Sequence, residues 1–221
     1  MFRIKICGIT QPEDAEACIA SGADAVGLNF YPPSRRYVPA ETARAIARVV
    51  SGKMLRVGVF VSLPVPEVRE LAAYVGLDAV QLHGDEPPEV VAALQPLPVI
   101  KAFRVRESCR CVEDYLAECR NLGVLPAMIL LDAWSPEAPG GTGKTFDWSA
   151  ATEFVRRHSQ VPVALAGGLR PENVAQAIRT VRPQGVDTAG GVESSPGRKS
   201  PHRIAAFVQA AQAAFAEYEG S

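Results

Sequence analysis

The chain has 221 residues, 48% of them apolar against 21% charged, enough to close a sizeable core and too apolar for a disordered protein. Lysine and arginine total 23 against 24 acidic residues, and a net charge of −1 supplies no electrostatic footprint for nucleic acid or an anionic membrane; a small-molecule partner is expected. Residues 1–10 lack the apolar run of a signal peptide, and the longest apolar run, 127–131, is far too short to span a bilayer, so a cytoplasmic protein is expected.

Taken in chain order, eight β-rich runs alternate with eight segments of helical period. The strands are expected at 3–7, 25–30, 55–61, 79–83, 99–103, 128–132, 163–166 and 185–188. Each is followed by apolar residues at three- and four-residue spacing, from Ala15/Cys18/Ile19 after the first to Ile204/Phe207/Val208/Ala211/Phe215 after the last. Gly22-Ala23-Asp24 recurs as Gly76-Leu77-Asp78 and is echoed by Gly185-Val186-Asp187, as expected if one Gly-x-Asp turn repeatedly ends a helix and feeds a strand. No composition break interrupts the series. The pattern predicts an α/β fold, a (βα)8 TIM barrel, with residues 1–221 as a single catalytic domain. An open doubly wound sheet would also bury both strand faces, but the unusual polar residues stand at strand C-terminal ends, where all eight loops of a closed barrel converge.

Those strand ends carry the candidate chemistry. Cys7 closes the first strand, as a reactive thiol or a small core residue, and Gly8 after it is expected to let substrate approach the backbone. Asp132 ends the apolar run Met128-Ile129-Leu130-Leu131, an unusual place for a carboxylate without a function. His83 closes the fourth strand, with Asp85 as the expected N-cap of the following helix. Gly167-Gly168 and Gly190-Gly191 follow strands seven and eight, where backbone N–H groups and a short helix N-terminus can hold phosphate. Arg36, in the loop after strand two, suits bidentate capture of a carboxylate, although an exposed Arg35-Arg36 pair can equally face solvent.

Two features point elsewhere. Residues 138–145 imitate a P-loop but lack its first glycine, and a loop over the site hinged on Gly140, Gly141 and Gly143 is the expected alternative. Five cysteines, an odd number without companion histidines, fit neither a disulfide framework nor a zinc site; Cys109, Cys111 and Cys119 are expected within one helix as packing.

Together, Lys5-Ile6-Cys7-Gly8-Ile9-Thr10, Gln81-Leu82-His83-Gly84-Asp85-Glu86 and Gly191-Val192-Glu193-Ser194-Ser195-Pro196-Gly197 closely resemble the phosphoribosylanthranilate isomerases of tryptophan biosynthesis. Ser34-Arg35-Arg36, Leu131-Asp132 and Ala166-Gly167-Gly168-Leu169 extend the likeness over essentially the whole chain. The resemblance implies a cofactor-free, metal-free Amadori rearrangement of N-(5-phosphoribosyl)anthranilate, a small phosphosugar, by a monomer or a homodimer. It implies Cys7 as general base, Asp132 as general acid, Arg36 as anchor for the anthranilate carboxylate, and the two glycine turns on the phosphate; His83, from its place at the end of the fourth strand, is the further candidate for contact with the substrate. Thr188-Ala189 stands where the family commonly carries serine, which places more of the phosphate on backbone donors, and Ser200 replaces a common aspartate before the last helix. Competing readings are another phosphate-binding barrel such as indole-glycerol-phosphate synthase, which would be expected to carry a longer N-terminal extension and a catalytic lysine, a catalytically silent phosphate-ligand binder, and a P-loop hydrolase.

Overall fold

The structure, a computed structural model, describes residues 1–105, 108–132 and 148–219. Eight strands, Ile4–Cys7 (β1), Ala25–Asn29 (β2), Leu55–Phe60 (β3), Ala79–Leu82 (β4), Val99–Arg104 (β5), Met128–Asp132 (β6), Val163–Ala166 (β7) and Gly185–Thr188 (β8), pair in parallel and in chain order, with β8 closing on β1. Every one begins and ends within one residue of its expected bounds. The helices between and after them are Pro12–Ser21 (α1), Ala40–Val50 (α2), Val65–Val75 (α3), Pro88–Leu94 (α4), Arg110–Asn121 (α5), Ser149–Arg157 (α6), Val174–Val181 (α7) and Pro201–Glu219 (α8). The sheet is closed, not open, and none of these helices is long and apolar enough to cross a membrane.

The strands read as continuous apolar runs because both of their faces are covered. Side chains alternate along each strand, and one set, including Ala25, Val57, Ala79, Ile100, Met128, Leu130 and Ala164, packs with Phe2 inside the barrel. The other set meets the helices in a second, larger cluster that includes Ile6, Leu28, Phe60, Leu131, Phe154 and Phe207. Fully burying each such large apolar side chain stabilises the fold by about 1.5–3 kcal/mol. The interior set is small in the main, as the narrow lumen requires. Its exceptions are charged: Lys5 is fully buried and its ammonium lies 3.0 Å from the Asp187 carboxylate across the β1–β8 pair.

Helix starts and stops follow local chemistry. Proline stands in the first turn of α1, α3 and α4, where its missing N–H is not needed. Gly22 and Gly76 end α1 and α3 in the left-handed region at φ 77° and 76°, and Asp24 and Asp78 then accept backbone N–H groups of Ile4 and Arg56 on the neighbouring strands. The third echo of this turn is different. Arg182, at φ 53°, ends α7, while Gly185 lies within β8, where a Cβ would come 2.7 Å from the Phe2 carbonyl, and Asp187 points into the barrel instead of capping a turn.

Other local expectations are corrected. Pro87 precedes α4 as its N-cap and Asp85 is exposed; the buried Glu86 organises that turn, accepting the N–H groups of Ser62 and Gly84. Cys109 precedes α5 instead of lying within it, Cys111 is exposed and Cys119 is fully buried, and all five cysteines are free. After β8 the chain makes a short 3-10 turn, Gly190–Val192, and then an unexpected antiparallel hairpin, Glu193–Ser195 (β9) with Arg198–Lys199 (β10), strands too short for alternation to reveal. The P-loop-like stretch 138–145 and its neighbours Phe146 and Asp147 lie outside the described residues; Trp148, next to them, is buried directly before α6.

Candidate active site

Because β-strand side chains alternate, the last inward-facing position of each strand looks into the barrel mouth. There Cys7 from β1, Asn29 from β2, Val59 from β3, Gln81 and His83 from the end of β4, and Asp132 from β6 line a single cavity of about 600 Å3 with the turns after β7 and β8. Every site residue expected from the sequence, Cys7, Arg36, His83, Asp132, Gly167, Gly168, Gly190 and Gly191, is among its lining. A second cavity of about 530 Å3 opens beside it at the ends of β3 to β5 and shares His83. Its buried Lys101 is occupied internally, donating to the Gly84 carbonyl at 2.6 Å and pairing with Glu86 at 3.3 Å.

Cys7 is nearly enclosed, and the strand beside it is cut to fit: a Cβ on Gly27, its register partner, would stand 2.7 Å from the thiol sulfur. Burial pushes the thiol above the ordinary cysteine range. The charges of Lys5 and Lys199 pull it down and that of Asp187 pushes it up, without reversing the effect of burial. The resting group is therefore a thiol.

Asp132 and His83 face one another, with Nε2 of His83 3.7 Å from the Asp132 carboxylate. Nδ1 of His83 lies 3.0 Å from the Gln81 side-chain amide. With that amide nitrogen donating, Nδ1 is the acceptor and Nε2 carries the hydrogen directed at Asp132. The Gln81 side chain is almost wholly buried, and its oxygen has no hydrogen-bond partner among the described residues.

Arg36 reaches the mouth from the β2–α2 loop by lying across Gly8. A Cβ on Gly8 would fall 2.4 Å from Cδ of Arg36, so the bare backbone accommodates the arginine stem and not, as expected from sequence, the approach of a substrate. The guanidinium is held by Glu193: Nε and Nη2 donate to the two carboxylate oxygens at 2.6 and 2.8 Å. This fork occupies one edge of the guanidinium and leaves Nη1 and one Nη2 hydrogen without a partner among the described residues, the edge that can take a second carboxylate. Lys199, its side chain fully buried, donates to the same Glu193 at 3.0 Å and to the Ala189 carbonyl at 3.0 Å. Burial alone would raise the Glu193 carboxyl; hydrogen bonds from Arg36 and the charge of Lys199 hold it below the usual carboxylate range.

The two glycine turns pack on each other. Gly167 and Gly168 both adopt positive φ, 91° and 63°, which only glycine accepts readily. A Cβ on Gly191 would come 1.8 Å from the Leu169 carbonyl, and the Thr188 hydroxyl donates to that same carbonyl at 2.7 Å. Thr188 is thus engaged in joining the turns. Arg170 and Arg203 line the cavity at this end, and Nε of Arg203 donates to the Gly191 carbonyl at 3.0 Å. Sequence reasoning missed both arginines, along with Glu193, Lys199 and the Lys5–Asp187 pair. Only the last left a signal, two charges inside otherwise apolar strands. Among the described residues, no group of three or more His, Cys, Asp or Glu side chains is arranged to hold a metal ion.

Residues 4–210 match the model of the family described as N-(5'-phosphoribosyl)anthranilate (PRA) isomerase. The chain belongs to this family. The N-(5'-phosphoribosyl)anthranilate isomerase of Geobacter metallireducens is 46% identical over 218 residues, covering 96% of this chain and 100% of the relative. Among solved structures, the phosphoribosyl anthranilate isomerase of Thermotoga maritima superposes with a TM-score of 0.83 at 44% identity, over 96% of this chain and 100% of that one. A phosphoribosyl anthranilate isomerase bound to reduced 1-(o-carboxyphenylamino)-1-deoxyribulose 5-phosphate superposes with a TM-score of 0.80 at 40% identity, over 96% and 100% of the two chains. The chain is an isomerase of tryptophan biosynthesis.

Proposed function

We propose that this isomerase rearranges N-(5'-phosphoribosyl)anthranilate with Cys7 as general base and Asp132 as general acid, Arg36 on the anthranilate carboxylate and the two glycine turns on the phosphate. The observation that carries this reading is convergence: these groups come from β1, β6, the β2–α2 loop and the turns after β7 and β8, yet line one cavity.

Asp132 gives a proton to the furanose ring oxygen, the C1–O bond breaks, and the anthranilate nitrogen closes onto C1 as an iminium cation. His83, whose Nε2 is 3.7 Å from Asp132, is the near neighbour of that proton. The iminium acidifies C2–H. Cys7, as thiolate, takes this proton, the C–H electron pair becomes the C1=C2 bond of an enolamine, and tautomerisation gives the ketose. Burial holds the resting Cys7 as thiol, so that proton must pass to solvent before Cys7 can accept the one from C2, and the cationic intermediate standing over the sulfur favours the thiolate. A positioned acid or base gives typically about 10²–10⁴ in rate, and fixing phosphate and carboxylate at opposite ends of the cavity contributes the orientation that neither supplies.

On this reading residues 1–221 form one catalytic domain, acting in the cytoplasm as a monomer or a homodimer. The test is loss of substrate fluorescence on mixing purified protein with freshly generated phosphoribosylanthranilate. A protein concentration-dependent decay is expected, and none would overturn the proposal.

A further inference from the structure

Cys7 is read above as the base, and the barrel interior beneath it holds something that reading does not use. Lys5 precedes Cys7 by two residues on β1, so both side chains face inward, Lys5 below and Cys7 at the mouth. Lys5 is fully buried and donates to Asp187 at 3.0 Å; the two are register partners across β1 and β8. Around them the interior positions are filled by alanine, valine, isoleucine, leucine and methionine, with the Phe2 ring 5.9 Å from the ammonium. An ion pair in such a place is a weak source of stability, since apolar side chains of like volume would serve as well or better. Its placement directly under the thiol is what distinguishes it.

Resting on the assignment of Cys7 as base, we propose that the Lys5–Asp187 pair is a positioning device for that residue: the ammonium draws the thiol toward thiolate and the carboxylate limits how far.

Other charges near Cys7 are Lys199 on β10 and Arg36 from the β2–α2 loop, both bound to Glu193, with His83 and Asp132 farther along the cavity wall. Of these surroundings, the Lys5 charge is the strongest influence lowering the thiol, and the opposing charge of Asp187 exceeds that of Lys199. Lys5 itself stays charged: burial would neutralise it, but the charge of Asp187 lifts it above the ordinary lysine range.

The pair therefore predicts shifts of opposite sign. The full-length protein is alkylated with iodoacetamide across pH, and Cys7 is followed by mass in the Glu-C peptide 1–13, which holds no other cysteine. Alkylation follows the thiolate. Lys5→Met should move the half-point up by about one pH unit or more, and Asp187→Asn should move it down by a similar amount. The acid limb of kcat should move in the same directions. A purely structural pair would shift neither, or both alike, and either result overturns the proposal. If Lys5→Met does not fold because it strands the Asp187 charge, Asp187→Asn decides alone: a downward shift supports the device, while no shift or an upward one refutes it. Alkylation does not depend on turnover, so opposite shifts in a protein inactive on phosphoribosylanthranilate would leave the device standing and remove the isomerase base, whereas turnover with an unmoved alkylation limb would do the reverse.

Discussion

Replacing Glu193 by alanine tests how the mouth of the barrel is held together. Glu193 accepts three hydrogen bonds, from Arg36 at 2.6 and 2.8 Å and from Lys199 at 3.0 Å, with side-chain exposures of 7%, 32% and 0% for Glu193, Arg36 and Lys199. A charge-assisted hydrogen bond contributes about 1.5–3 kcal/mol when dry. The Arg36 pair is partly solvated and is discounted to about 1 kcal/mol. Lys199 is not: with Glu193 removed, its ammonium keeps only the Ala189 carbonyl, and stranding it costs about 2–3 kcal/mol. The expected loss is about 3–4 kcal/mol, or roughly 10 °C in Tm for a chain of this size. Freed from its fork, Arg36 no longer presents its second edge to the cavity, and KM for phosphoribosylanthranilate should rise about tenfold, about 1.4 kcal/mol, with a smaller change in kcat. Glu193→Gln, whose amide oxygen can still accept from Arg36 Nε and Lys199 but whose amide nitrogen cannot accept from Nη2, also drops the charge and should lose less than the alanine variant. Calorimetric unfolding and steady-state kinetics on the same preparations measure both effects. A Tm within about 2 °C of the parent together with an unchanged KM would refute the reasoning.

Cys7→Ala and Asp132→Ala should each lower kcat at least about 10²-fold while leaving the unfolding free energy from urea titration within about 1 kcal/mol of the parent; a loss below tenfold would remove that residue from the chemistry. Gly191→Ala, whose Cβ would meet the Leu169 carbonyl at 1.8 Å, should force the two glycine turns apart and raise KM more than tenfold, a change that competition by inorganic phosphate would localise to the anion end. Acid should weaken the fold through Asp78. Burial alone would raise that carboxyl, but the hydrogen bonds and charge of Arg56 hold it below its ordinary value, so its contribution is complete at neutral pH and is lost as pH falls through the depressed value. Urea titrations between pH 7 and pH 3 should show that decline in the parent and a shallower one in Asp78→Asn; equal slopes would assign the acid sensitivity elsewhere.

Most of the fold is legible in the sequence because it rests on local physics. A strand buried on both faces reads as an unbroken apolar run, as Met128–Asp132 does, and a left-handed helix stop needs glycine, as Gly22 and Gly76 supply. Legibility fails where a residue's reason lies far along the chain. Gly8 is recognisable as special, but that Arg36 covers it depends on a loop folded back over β1. Glu193 lies 157 residues from the Arg36 it holds, and no periodicity links them. Arg182 ends a helix at positive φ where glycine was expected, and the displaced Gly-x-Asp echo instead places Asp187 inside the barrel. The candidate site was visible at the strand ends; of its supports, Lys5 and Asp187 showed only as charges inside apolar strands, and Glu193 and Lys199 not at all, since each is defined by a partner on another element.

The most direct measurement is a crystal structure of this protein with reduced 1-(o-carboxyphenylamino)-1-deoxyribulose 5-phosphate. Its phosphate should sit on the backbone amides of the Gly168 and Gly190-Gly191 turns and its carboxylate on the outer edge of Arg36, with Cys7 and Asp132 on either side of the C1–C2 bond. A ligand bound with its phosphate away from the glycine turns, or with Cys7 out of reach of C2, would contradict the assignment of these residues.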